Sequence, residues 1–108
     1  MSEAIVVFMT AANIDEARRI AESLVNAKLA ACVQILPAIE SVYRWKGEIQ
    51  RENEVLILAK TTGERFSDLE KEVRAMHSYE TPEILAIEAS KVSAPYREWL
   101  LNEVKRDS

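Results

Sequence analysis

The chain begins with an apolar run over residues 4–9 (AIVVFM) that no polar side chain interrupts. A short unbroken run rich in β-branched residues predicts a strand buried on both faces. The period then changes. Ile14, Ala17, Ile20, Ala21 and Leu24 recur at helical spacing, while Asp15, Glu16, Arg18, Arg19 and Glu22 fill the opposite face. Asn13 stands three residues before Glu16, a capping-box pattern with Asn at the cap. A helix is predicted over 14–27.

Residues 31–35 and 39–45 are rich in β-formers and are separated by Pro37. Proline cannot donate to a strand ladder, so Pro37 marks a bulge or an edge strand. Lys46-Gly47-Glu48 reads as a hairpin turn, with a return strand over 48–60 that ends in the block VLILA. Thr61 and Glu64 repeat the capping-box spacing. Phe66, Leu69, Val73 and Met76 then predict a second helix over 64–76. Residues 77–82 are a loop, because Pro82 biases Thr81 away from helix. A fourth strand covers 83–88 (EILAIE). Ser93, with Pro95 in the first turn, opens a last helix to about residue 105, with Tyr96, Leu100 and Val104 inward. The order β-α-β-β-α-β plus a C-terminal helix predicts an α+β, ferredoxin-like sandwich: one antiparallel four-stranded sheet with two helices on one face. No linker or repeat divides residues 1–108, so a single domain is expected.

Two features exceed what one copy can bury. The runs at 6–9, 55–59 and 84–87 are apolar on both faces of the sheet, yet two crossover helices cover only one. Each large aliphatic side chain left wet forfeits about 1.5–3 kcal/mol. The hairpin strands are also about 45 Å long at 3.3 Å per residue, against about 20 Å for the outer strands. The surplus ribbon carries Ile39, Val42, Tyr43, Trp45 and Ile49. An apolar ribbon of that size predicts a homo-oligomer in which hairpins add to neighbouring sheets. The competing reading folds the ribbon back at Pro37 onto its own sheet.

Composition removes function classes without choosing one. The chain has 108 residues, Lys+Arg 14 and Asp+Glu 18, giving 14 − 18 = −4. An acidic balance argues against nucleic acid as a partner. No apolar stretch of about 18 residues predicts a membrane helix, and no secretory leader is expected. One cysteine, Cys32, fits a reducing cytoplasm. Two glycines are too few for a phosphate-cradling loop, and no hydrolase, metalloprotease or P-loop spacing occurs. An enzyme is therefore not expected; a Cys32–His77 centre would need the fold to join distant positions.

Several blocks together resemble the CutA (divalent-cation tolerance) family: Ala30-Ala31-Cys32-Val33, then Ser41 to Ile49 (SVYRWKGEI), Leu58 to Thr62 (LAKTT), His77 to Ile84 (HSYETPEI), and Tyr96 to Leu100 (YREWL). The resemblance covers nearly the whole chain. It implies a ferredoxin-like subunit, a packed homotrimer similar in architecture to the PII signalling proteins, heat resistance, a cytoplasmic location and a role in tolerance of copper and other divalent metals. Metal ligands proposed for the family carry over to Met9, Met76 and His77. Of these, only His77 keeps its residue type, and Ser78 stands where a proline is usual. A thioether–imidazole set suits Cu(I), since soft ligands select soft ions.

Each candidate has a structural alternative. His77 at the end of a helix serves either as a cap or as a metal ligand shared between subunits. Met9 and Met76 fill core space or ligate. Cys32 is a small hydrophobe or a thiolate. Cys32, Tyr43, Trp45, Lys60, Tyr79 and Glu83 form a possible intersubunit cleft, where Lys60 beside aromatic walls would hold a small anion or metabolite. The leading expectation is a trimeric divalent-cation or copper binder. The alternative is a PII-like sensor or scaffold binding a small molecule between subunits.

Overall fold

The computed structural model describes residues 3–106. Its elements are β1 (Ala4–Ala11), α1 (Ile14–Asn26), β2 (Cys32–Trp45), β3 (Glu48–Thr62), a 3-10 turn (Gly63–Arg65), α2 (Phe66–Met76), β4 (Ile84–Glu88) and α3 (Ala94–Glu103). The strands form one sheet in the order β2-β3-β1-β4, and every neighbouring pair is antiparallel. This is the ferredoxin-like α+β arrangement that the period changes predict.

One face of the sheet packs on α1 and α2. Ile5, Val7 and Met9 from β1 and Val55, Ile57 and Ala59 from β3 meet Ala17, Ile20, Leu24, Leu69 and Val73. These are alternate strand positions against helical i, i+3, i+4 positions, so both periods point into one core. On the opposite, open face only a small cluster forms, where Leu100 of α3 and Val104 at its C-cap cover Ala4. Arg65 reaches across to donate from Nε to the Val104 carbonyl at 2.8 Å, which closes the end of α3. Tyr96, expected inward, is instead about two-fifths exposed at the margin of this cluster.

The hairpin outruns the sheet. β1 pairs with β3 only from Val55 to Thr62, so the ribbon from Ile39 to Glu54 pairs only with itself. The longest dimension of the subunit is 45 Å, close to the extended length of β2, so the ribbon does not fold back at Pro37. Pro37 lies on the edge strand and at a bulge between Leu36 and Ile39, where Ala38 takes φ 67°. At the tip, Lys46 (φ 52°) and Gly47 (φ 82°) make the two-residue turn whose left-handed backbone matches strand twist.

The second capping box is not formed. β3 continues to Thr62, with Thr61 opposite Ile5, so Thr61 is a core-facing strand residue rather than a cap. A 3-10 turn intervenes, and α2 starts at Phe66 with no side-chain cap. The first box does form in altered shape. The Asn13 side chain accepts from the Glu16 amide at 2.8 Å, but Glu16 reaches past Asn13 to the Ala12 amide at 3.0 Å.

Candidate functional site

The loop between α2 and β4 is tied down by two buried polar side chains. His77 caps α2 in extended conformation, its amide still bonded to the Val73 carbonyl. Its ring turns under the loop. Nε2 lies 2.7 Å from the Thr10 carbonyl, and Nδ1 accepts the Tyr79 amide at 3.0 Å. Because Nδ1 accepts, the proton sits on Nε2 and donates to Thr10. Glu16, only 3% exposed, takes the Ser78 amide at 2.7 Å as well as the Ala12 amide. Burial pushes its carboxyl upward, but the hydrogen bonds from Ala12 and Ser78 outweigh it and hold the carboxyl below the ordinary value.

This anchorage sets Tyr79 against the hairpin. Its ring packs on His77 with centroids 4.7 Å apart. Its hydroxyl donates to Oε2 of Glu54, a carboxylate 7% exposed, at 2.7 Å. Burial and the Glu54 charge push the Tyr79 phenol far up. On the ribbon, Tyr43 donates to Glu52 at 2.8 Å. The Glu83 carboxyl is raised by burial and then by the charge of Glu54. Ribbon and loop together enclose a groove of about 890 Å³, walled by Tyr43, Trp45, Tyr79 and Pro82 and carrying Glu52, Glu54, Glu80 and Glu83. Among the described residues, no lysine or arginine lines it.

Within one chain the fold thus gathers four members of the anticipated intersubunit cleft, Tyr43, Trp45, Tyr79 and Glu83, while Cys32 and Lys60 lie outside this groove. Lys60 sits six residues along β3 from Glu54, about 20 Å at the strand rise. There it registers with Cys32 on one side and Val6 on the other, and its Nζ donates to Gln34. Within one chain, then, Lys60 does not contribute a cation to this groove. The anticipated metal set is not assembled either. Met9 faces the helices with 0% exposure, and Met76 packs against the same core. Both ring nitrogens of His77 are engaged, so none offers a lone pair to a cation. Cys32 and His77 lie toward opposite ends of β1, opposite Lys60 and beside Thr10 respectively, which removes the dyad.

Sequence reading missed Glu52, Glu54, Glu80 and Thr10. The hairpin register carries a signal for one of them. Tyr43 pairs with Gln50, so Glu52 is its diagonal neighbour, within reach of a long side chain. Glu54 gives no such local signal, because its partner is 25 residues away.

A four-stranded sheet with two helices on one face, an overlong hairpin and an acidic groove beneath it define a ferredoxin-like protein built around that ribbon. The chain belongs to the CutA1 divalent ion tolerance protein family, whose family model matches residues 5–103. It is 43% identical over 95 residues to the divalent-cation tolerance protein CutA of Thermus thermophilus, covering 88% of this chain and 92% of that protein. It is 42% identical over 101 residues to the chloroplastic CutA of Arabidopsis thaliana, covering 94% of this chain but 56%, about half, of the plant protein. Among solved structures, CutA1 of Oryza sativa superposes with a TM-score of 0.93 at 39% identity, covering 97% of this chain and 96% of that one. The periplasmic divalent cation tolerance protein CutA of Archaeoglobus fulgidus gives a TM-score of 0.92 at 38% identity, covering 94% and 99%.

Proposed function

We propose that this chain serves divalent-cation tolerance as a homotrimer that binds cations, without catalysing a reaction. The observation that carries the reading is the groove itself: four glutamates line it between ribbon and loop, with no lysine or arginine among the described lining residues. The names of its relatives support the same role. Carboxylate oxygens suit hard or borderline divalent ions, whereas a soft Cu(I) site would need the thioethers that lie in the core. Among the described residues, no three His, Cys, Asp or Glu side chains converge to hold a metal ion. The proposed cation is therefore held by groove carboxylates together with water or donors from a second copy at the seam.

The trimer rests on the ribbon and the open sheet face, which leave Val42, Ile49, Leu85 and Ile87 more than half exposed on a single chain. A reducing compartment such as the cytoplasm is the proposed setting, supported by a lone unpaired cysteine. The volume of the groove favours a second reading. At about 890 Å³ it exceeds what a bare ion needs, and its aromatic walls suit a PII-like sensor of a small organic molecule.

The test is calorimetry of the full chain with Cu(II) and Mn(II), compared with Glu52→Gln/Glu83→Gln. Saturable binding that weakens about tenfold or more in the double variant is expected. Wild-type protein that shows no saturable heat, or a double variant that titrates like it, would overturn the reading.

A further inference from the structure

Pairing across the hairpin gives the ribbon two faces, since opposite residues share a face and successive pairs alternate. Trp45 with Glu48, Tyr43 with Gln50, and Ser41 with Glu52 lie on one. Arg44 with Ile49, and Val42 with Arg51, lie on the other. The first face is acidic and aromatic. It runs on to Glu54, opposite Ile39, and holds three glutamates with no lysine or arginine among its paired residues. It also forms most of the ribbon wall of the groove, to which the second face adds only Val42.

The second face is aliphatic and basic. Val42 and Ile49 are more than half exposed there, with Arg44 and Arg51 beside them. The carboxylate on this face, Glu40, is paired with Arg51 at 3.4 Å. Arg44 is exposed and donates to the Gly47 carbonyl at 3.4 Å, which uses one of its five N–H donors.

Within one chain the two faces look in opposite directions and cannot meet. Between copies they can. Adding a ribbon by its edge to a neighbouring sheet would pair backbone groups and leave Val42 and Ile49 facing out, so their cover has to come from a face contact. Three copies in a closed ring meet through two different patches, not one patch against itself. Charge points the same way. Like on like would set glutamates against glutamates, or arginines against arginines. Unlike faces match, because a guanidinium pairs with a carboxylate and stacks on aromatic rings, and the first face offers both. Of its glutamates, Glu54 is buried against Tyr79 and Glu48 lies beside the turn, which leaves Glu52 as the exposed carboxylate within the face.

We infer that the ribbons of neighbouring copies pack face to unlike face, with Arg44 of one copy held by Glu52 of the next beside Tyr43, while Val42 and Ile49 lose their water. The inference rests on the trimer proposed above, not on its cation, and names the surfaces by which that trimer closes. Glu80 and Glu83, on the loop wall of the groove, are left to a cation.

Light scattering of the full chain over a dilution series in urea, which does not screen charge, tests it, with circular dichroism on the same samples. Arg44→Glu should raise the concentration of half-dissociation about tenfold or more, since it sets like charges against each other across the contact. Arg44→Gln should raise it less. Adding Glu52→Arg to Arg44→Glu should bring assembly back toward wild type. That rescue cannot arise inside one chain, where the two positions lie on opposite faces. Arg44 is exposed on the single chain, so Arg44→Glu is expected to keep its helix and strand content. Should it not, Glu52→Arg alone must weaken assembly in its place. A wild-type protein that stays a single chain ends the trimer and this inference together. A trimer that Arg44→Glu leaves as stable as wild type, or that Glu52→Arg does not restore, overturns the face contact alone.

Discussion

The Tyr79 hydroxyl and the Glu54 carboxylate meet at 2.7 Å, and this one bond fastens the loop after α2 to the base of the hairpin. Glu54 is only 7% exposed, so losing its donor leaves a poorly solvated charged oxygen without its protein partner. Tyr79→Phe is expected to cost about 1.5–3 kcal/mol, the range for hydrogen bonds to charged groups. Its pH signature follows from the raised phenol. Around pH 10 the unfolded chain releases this proton while the folded chain keeps it, so the stabilisation is complete below pH 10 and is lost as pH rises above it. Thermal melts from pH 8 to 11 should therefore fall more steeply for wild type than for Tyr79→Phe. Parallel slopes would show that the bond does not hold the phenol neutral.

Glu16 works in the opposite direction. Its carboxyl is held below 4.5 by hydrogen bonds from Ala12 and Ser78, despite burial. The stabilisation is present above the ordinary carboxyl value and disappears as pH falls through the lower folded value. Glu16→Gln keeps the shape but weakens both backbone bonds. It is expected to lose about 1–3 kcal/mol at neutral pH and to flatten the acid limb below pH 4.5. Denaturant titrations at pH 7 and pH 3.5 check this. A variant as acid-sensitive as wild type would assign that limb to other carboxylates.

Much of the fold was legible because hydrophobic period reports local structure and burial together. The ribbon's projection followed from strand lengths alone, and Pro37 marked both the edge strand and the bulge. What escaped was set by register. Thr61 and Glu64 have capping-box spacing, yet pairing of Thr61 and Thr62 with Ile5 and Ala4 extends β3 through that position. The site was half legible for the same reason. Aromatic residues in the hairpin and the loop pointed to a cleft, but Lys60 and Glu54 share a face of β3 and differ only in which end of the sheet they reach. Only the pairing of strands places the lysine away from the groove and the glutamate inside it.

His77 separates a structural role from a ligand role. Its side chain has no exposed surface and bridges the Thr10 carbonyl and the Tyr79 amide. His77→Ala opens a cavity and orphans both groups, with an expected cost of about 3 kcal/mol. Cation binding by the groove should persist in the variant at temperatures where it stays folded. Parallel thermal melts and Cu(II) calorimetry decide the matter: complete loss of binding in a folded His77→Ala protein would return the imidazole to the metal.

The open sheet face and the ribbon make the last prediction. Ile49 is 61% exposed and Ile87 53% exposed on a single chain, and neither belongs to the buried clusters that hold the subunit together. Covering each is worth about 1.5–3 kcal/mol, so association gains from side chains that the subunit's own folding does not use. Trp45→Asp on the ribbon and Ile87→Asp on β4 should therefore shift the assembly toward single chains while helix and strand content are retained. Light scattering at micromolar concentration, with circular dichroism on the same samples, distinguishes this from misfolding. Variants that keep the wild-type mass would remove both surfaces from the interface, and a wild-type protein that is itself a folded 12.3 kDa species would remove the assembly.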